Sequence, residues 1–402
     1  MNKERSLLID CLRGVSAQIV LIGHVTALMC GWSEPQHPLN RLIRDGLALM
    51  GGSAHQAVMV FFVVSGYLVG GGAVLERIAG NRFSPLRYSI DRLARLWVVL
   101  IPGLSTGAIL DRVSLIGGRA NELVAARSGF FHEHFDLTSR TTVATFFCNI
   151  VFLQNLTCPQ FGTNVSLWSL SCEAFFYILF PPLVLVFWPS TSFKSRLMSF
   201  LVVAAVFLFL RCFLNGTLYA IYGSMWVGGA LVAFTWVRRP ANGRSRAVAG
   251  AVLLVSGLLT YQGFKSTSSN GADFGVAIFA AGLLCLRQHL DAGLSLLGTG
   301  FRRGAEWLSN ISFSAFVFHL PVAFLLVCYA PVEWRNLGKF SPPELLNVLL
   351  VAVVCNMTAV ASYFLFERHY QAVRKLMTGL LRNRDFDPCS AEDCADGNAP
   401  KL

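Results

Sequence analysis

The sequence predicts an all-α integral membrane protein: a bundle of about ten transmembrane helices with both termini in the cytoplasm. Three observations carry that expectation. Hydrophobic residues make up 54% of the 402 and charged residues only 14%, where a soluble chain carries about a quarter charged residues. Ten apolar runs are long enough, or nearly so, to cross a bilayer as helices. With those runs as alternating crossings, roughly two thirds of Lys and Arg fall on one side, which marks it as cytoplasmic. The same asymmetry accounts for the net charge of +11 without nucleic acid as a partner. The lipid bilayer is the expected partner.

The runs lie at about 7–30, 54–75, 94–111, 167–188, 196–213, 217–236, 247–264, 271–287, 306–330 and 344–367. The first is too long for the apolar core of a secretory signal, and no small-residue cleavage site follows it. An eleventh run, 141–153, is short and suits a re-entrant or interfacial segment. Counted as a full crossing, it would put the basic cluster at 237–246 and the basic C-terminal tail on opposite sides, so ten crossings are expected. Residues 1–381 then form one transmembrane domain, and 382–402 a polar, disordered cytoplasmic tail. Most of the 11 cysteines, such as Cys172, Cys212, Cys285 and Cys355, sit in apolar runs and read as small hydrophobes, not a disulfide framework. Cys389 and Cys394 are too far apart for a Cys-x-x-Cys site and are assigned no role.

Arg13 and His24 lie inside the first run. Eleven residues separate them, close to three turns, so they share a helix face about 16 Å apart along the axis. An ionisable residue inside a span is a functional candidate by default; the bland alternative is a snorkelling arginine and a satisfied core histidine. Asp10, three residues before Arg13, is placed to pair with it. In the second run, Gly66 and Gly70 permit close helix approach, and Ser65 bonds either its own helix or a ligand. Arg92 and Arg95, at i and i+3, leave one helix face together, toward either phosphate oxygens or anionic lipid. Glu173, two turns into the fourth run and preceded by Trp168, can orient a histidine or an arginine. His319 sits mid-span before Pro321, whose missing N–H frees a carbonyl that the imidazole can satisfy. Glu367 and Arg368 read as an anchor at the cytoplasmic face. His132, Glu133 and His134 make only a weak metal signal, and no metal is expected.

Taken in order, these segments resemble the acyltransferase-3 family of integral-membrane O-acyltransferases. The resemblance rests on Leu8-Ile-Asp-Cys-Leu-Arg-Gly followed by His24, Phe61-Phe-Val-Val-Ser-Gly-Tyr-Leu, the Arg92-x-x-Arg95 pair and Trp168-Ser-Leu-Ser-Cys-Glu-Ala-Phe-Phe-Tyr. It extends to Leu308-Ser-Asn-Ile-Ser-Phe-Ser-Ala-Phe-Val-Phe-His-Leu-Pro-Val and Phe366-Glu-Arg. Two positions depart from the family pattern: Ala174 stands where a second glutamate is common, and His369 where a proline is usual. A C-terminal hydrolase-like domain, carried by many members, is not expected here.

The resemblance implies transfer of an acyl group, acetyl by preference, from cytoplasmic acyl-CoA to a hydroxyl of a cell-envelope or secreted carbohydrate or glycolipid at a bacterial inner membrane. Acyl-CoA is then a co-substrate, with no tightly bound cofactor. Arg92 and Arg95 would hold the donor's phosphates. His24 would act as general base or covalent carrier, and Arg13 would position the donor or stabilise an oxyanion. Glu173 would hold the histidine tautomer or steady Arg13, with Asp10, Ser65, Trp168 and His319 in support. The rival reading is a proton-coupled transporter or flippase of a polysaccharide or lipid-linked precursor, with Arg13, His24, Glu173 and His319 as its relay. Oligomeric state is open.

Overall fold

The computed structural model describes residues 6–31, 37–79, 83–127, 130–131, 135–213, 216–238, 243–334 and 337–382, and every regular element among them is helical. Helix α1 (Leu7–Met29) starts where the Ser6 hydroxyl accepts from the Ile9 amide. Asp291 fastens the same end, taking bonds from Ser6 Oγ at 2.9 Å and from the Leu8 amide at 2.7 Å. Helix α2 (Pro38–Gly52) has proline in its first turn and a mostly exposed surface. Its polar, amphipathic sequence did not register as a span, and it is not one.

Helix α3 (Ala54–Ser65) continues into a π-helix (Gly66–Leu75) and the single turn α4 (Glu76–Ala79). A π-turn of this kind marks an irregular stretch retained for packing or function. Helix α5 (Pro85–Leu115) ends at Gly117 and Gly118, whose φ of 74° and 75° is open mainly to glycine, and α6 (Arg119–Ala126) follows. The single turn α7 (Leu137–Arg140) is capped by Asp136. Hydrogen bonds from the Thr138 and Ser139 amides hold the Asp136 carboxyl below the usual carboxylate range. The chain then forms α8 (Val143–Ile150), α9 (Trp168–Phe187), α10 (Phe193–Arg211), α11 (Gly216–Arg238), α12 (Gly243–Phe264), α13 (Ser269–Cys285) and α14 (Arg287–Ser295). It closes with α15 (Gly298–Tyr329), α16 (Pro342–Leu365) and α17 (Tyr370–Arg382).

Among the described residues, nine helices are long and apolar enough to cross a membrane, and the pair α13–α14, bent by 71°, makes a tenth if it counts as one. Helix direction settles the count. Gly14 of α1 abuts Leu308 and Ser309 of α15, and further along His24 meets His319, so α1 and α15 run the same way. The same holds for α3 with its π-extension and α11, where Gly66 meets Trp226 and Gly71 meets Ala233. Helices α12 and α13 are antiparallel, Gly250 facing Gly282 and Gly257 facing Gly275. Alternating crossings satisfy all three only if α13–α14 crosses once and 141–153 does not cross. The expected ten-helix bundle is therefore the observed one.

The 141–153 run is re-entrant. It enters beside Asp111, which accepts from Thr163 Oγ1 at 2.6 Å and the Thr163 amide at 3.0 Å. It reaches the depth of Trp97, whose indole donates to the Ile150 carbonyl at 2.9 Å. Asp111 and Trp97 are about 21 Å apart along a helix axis. Irregular backbone at such depth must find partners within the protein. Gln154 Nε2 donates to the Leu167 carbonyl, Asn155 Nδ2 to the Trp168 carbonyl, and Ser171 Oγ to the Phe152 carbonyl. A Cys148–Cys158 disulfide closes this loop. For these two cysteines the reading as small hydrophobes is corrected: Cys148 lies inside the short apolar run, but its partner Cys158 lies across the tight turn that follows.

The packing directions predict accessibility. In a cysteine-free background, Gly300→Cys and Lys375→Cys should react with a membrane-impermeant maleimide from one side, and Asn121→Cys from the other. Labelling of positions 121 and 300 from the same side would contradict the ten-crossing arrangement.

Candidate functional site

Two histidines from the parallel helices α1 and α15 meet at the centre of the site. His24 Nδ1 and His319 Nε2 are 2.8 Å apart, with the rings stacked at 10°. Fully buried, His319 turns its Nδ1 toward the carbonyls of Ala315 (2.9 Å) and Phe316 (3.0 Å) of its own helix. A nitrogen facing two carbonyl oxygens must carry the proton. His319 Nε2 is then a lone-pair acceptor, so the proton between the rings belongs to His24 Nδ1. His24 is left with a bare Nε2, which has no hydrogen-bond partner among the described residues.

Pro321 makes this geometry possible in a different way from the one its position suggests. Its missing N–H orphans the carbonyl of Val317, four residues back. That carbonyl is satisfied by Asn164 Nδ2 at 2.6 Å, not by the His319 imidazole. Ser166 Oγ in turn donates to Asn164 Oδ1 at 2.7 Å. The turn entering α9 is thus pinned to α15 through Asn164 and Ser166, four and two residues before Trp168.

His24 opens onto a cavity of 220 Å³, which His55, Ser166, Trp168, Phe130 and Phe316 also line. Phe130 presents its edge to the His24 ring at 5.5 Å. It is held there by Arg127, whose guanidinium donates to the carbonyls of Leu28 and Met29 at the end of α1. A larger hollow of 580 Å³ beside Tyr329 and Trp334 is lined by no histidine or carboxylate.

A second polar group lies toward the end of the bundle where the chain starts. Arg13 Nη2 bonds Ser312 Oγ at 3.2 Å, and Ser314 donates to Glu367 from both Oγ (2.6 Å) and its amide (3.2 Å). Arg13 and Arg95 are within electrostatic range of the Glu367 carboxylate. Glu367 is therefore fastened to α15 and is not a free interfacial anchor. Arg92 and Arg95 are half-buried, Arg92 over the Tyr88 ring and Arg95 over the Tyr370 ring, each at 5.9 Å. Arg374 ties α17 to Asp91 at 2.5 Å beside them. Asp10 is buried in the first turn of α1.

Glu173 is not where its expected role requires it. Its carboxylate takes bonds from Ser65 Oγ (2.6 Å) and the Tyr177 hydroxyl, and Trp226 Nε1 donates to the same Ser65 oxygen. It bonds neither His24 nor Arg13. His319, the supporting residue, does the orienting expected of Glu173. Sequence reading missed His55, whose Nε2 is 2.9 Å from Oδ2 of the buried Asp273. Its signals were its own place at the start of the 54–75 run and a lone acidic residue in the apolar run of α13. Among the described residues no three His, Cys, Asp or Glu side chains gather as a metal site, and the His132–His134 triplet lies outside them.

A histidine pair inside the bundle, an arginine about three turns earlier on the first helix and an arginine pair toward that same end form an ordered pattern. The acyltransferase domain family, acyltransferase-3, matches residues 7–367. The chain belongs to the acyltransferase-3 family. It is a multi-pass membrane acyltransferase. No curated protein and no solved structure matches it.

Asn164→Ala should orphan the Val317 carbonyl and cost about 1–3 kcal/mol, lowering the thermal unfolding midpoint in detergent. An unchanged midpoint would show that this carbonyl does not depend on Asn164.

Proposed function

We propose that this acyltransferase takes an acyl group, acetyl by preference, from acyl-CoA at the basic end of the bundle. It passes that group to a hydroxyl of a cell-envelope or secreted carbohydrate or glycolipid in the 220 Å³ cavity. The bare Nε2 of His24 carries this reading. A neutral imidazole with one nitrogen committed to a neighbour is a general base with a single open position. His24 Nε2 takes the acceptor's hydroxyl proton as that oxygen bonds to the acyl carbon. The carbon–sulfur bond then breaks, and the CoA thiolate leaves with the proton from His24.

While His24 is positively charged, its Nδ1–H still donates to His319, which rests on two backbone carbonyls. The relay steadies the imidazolium without a buried carboxylate. Arg92 and Arg95 take the donor's phosphates. Arg13 lies about 16 Å from His24 along α1, too far to touch a carbonyl there, so it guides the donor arm and does not stabilise the oxyanion. The basic end faces the cytoplasm. The transporter reading drew on the same titratable groups, and family membership favours acyl transfer for them.

Membranes containing the protein, given radiolabelled acetyl-CoA and cell-envelope glycan, test the proposal. Wild type should label the glycan, and His24→Ala should lower the rate by a factor of about 10²–10⁴. His319→Ala should do comparable damage, and the double variant should be scarcely worse than either single one, since the two act as a unit. Additive losses would separate the two histidines, and full activity in His24→Ala would refute the base. Arg92→Ala should raise the KM for acetyl-CoA while leaving that for glycan unchanged; an unchanged donor KM would return Arg92 to lipid contact.

A further inference from the structure

The cavity has a second imidazole with the same design. His55, at the start of α3, lines the same space as His24. Its Nε2 is 2.9 Å from Oδ2 of Asp273, a residue only 1% exposed, and its ring stacks on Trp168 with centroids 5.5 Å apart. A carboxylate accepts only, so Nε2 carries the proton and Nδ1 is the nitrogen left for a ligand. Nδ1 has no hydrogen-bond partner among the described residues. The other carboxylate oxygen, Oδ1 of Asp273, is buried with no partner among the described residues. Burying a carboxylate in the bundle is costly, and its one described bond serves to fix the orientation of His55.

Two residues with an open ring nitrogen, His24 and His55, therefore line one small cavity. A monohydric alcohol would satisfy one and leave the other unpaired, whereas a ligand with two hydroxyls satisfies both. We infer that His55, set by Asp273, binds the acceptor through a second hydroxyl beside the one that reacts, and so selects polyhydroxy acceptors. This rests on the acyl-transfer reading of the cavity. His55 takes no part in donor binding, and His24 alone removes the reacting proton.

The test is steady-state transfer from radiolabelled acetyl-CoA to cell-envelope glycan by membranes containing wild type, His55→Ala or Asp273→Asn. Slow hydrolysis of acetyl-CoA without glycan is read alongside. His55→Ala should raise the glycan KM about tenfold, the loss of one good hydrogen bond, with the acetyl-CoA KM and the hydrolysis rate unchanged. Asp273→Asn should move the glycan KM the same way, because the amide can donate to Nε2 and put the proton on Nδ1. An unchanged glycan KM in both variants overturns the inference. So does an equal fall in transfer and hydrolysis, which would make the dyad purely structural. No transfer by wild type would be a failure of the acyl-transfer reading itself, distinct from any failure of His55.

Discussion

The hydrogen bond between His24 and His319 depends on two helices that are far apart in sequence and run side by side in the same direction. Helices α1 and α15 approach closely because Gly14 offers no side chain against Leu308 and Ser309. Small residues at that contact bring the Arg13 guanidinium to Ser312 and the His24 ring to His319. The proton order then follows from the backbone: two α15 carbonyls fix His319, His319 fixes His24, and one nitrogen of His24 is left without a partner among the described residues. No carboxylate takes part. That suits a membrane interior, where a buried charge is expensive and a helix carbonyl supplies an acceptor without one.

Around this pair the polar residues of α15 form a track. Ser312 bonds Arg13, Ser314 holds Glu367, and His319 holds His24. The track leads from the arginines of α5 to the cavity. The break at Pro321 couples it to the segment before α9, because Asn164 supplies the hydrogen bond that proline removes. The carbonyl that Pro321 leaves open thus ties α15 to the cavity wall that carries Ser166 and Trp168.

Much of the architecture was legible because span length and charge asymmetry act locally. The ten runs, the short 141–153 segment and the ten-crossing count needed only composition and spacing. Helix α15 begins earlier than its apolar run because Arg302 and Glu306 pair at i, i+4 and carry the helix through a charged turn. The amphipathic α2 was missed because its polar residues mask helical length. Arg13 and His24 stood out as ionisable groups in a span, but their partners did not. His319 is 295 positions from His24, and Asp273 is 218 from His55. Contacts of that separation are fixed by packing, which a single sequence does not display. Glu173 misled for the same reason: its depth was readable, while its attachment to Ser65 and Tyr177 depends on how α3 and α9 pack.

The proton positions of the two histidines are the most direct test. Solid-state ¹⁵N NMR on histidine-labelled protein in lipid bilayers distinguishes protonated from lone-pair ring nitrogens. The account predicts a protonated Nδ1 and a lone-pair Nε2 for both His24 and His319, assigned by loss of signals in the single variants. A proton on Nε2 of His24 in the resting protein would remove the open base and contradict the account.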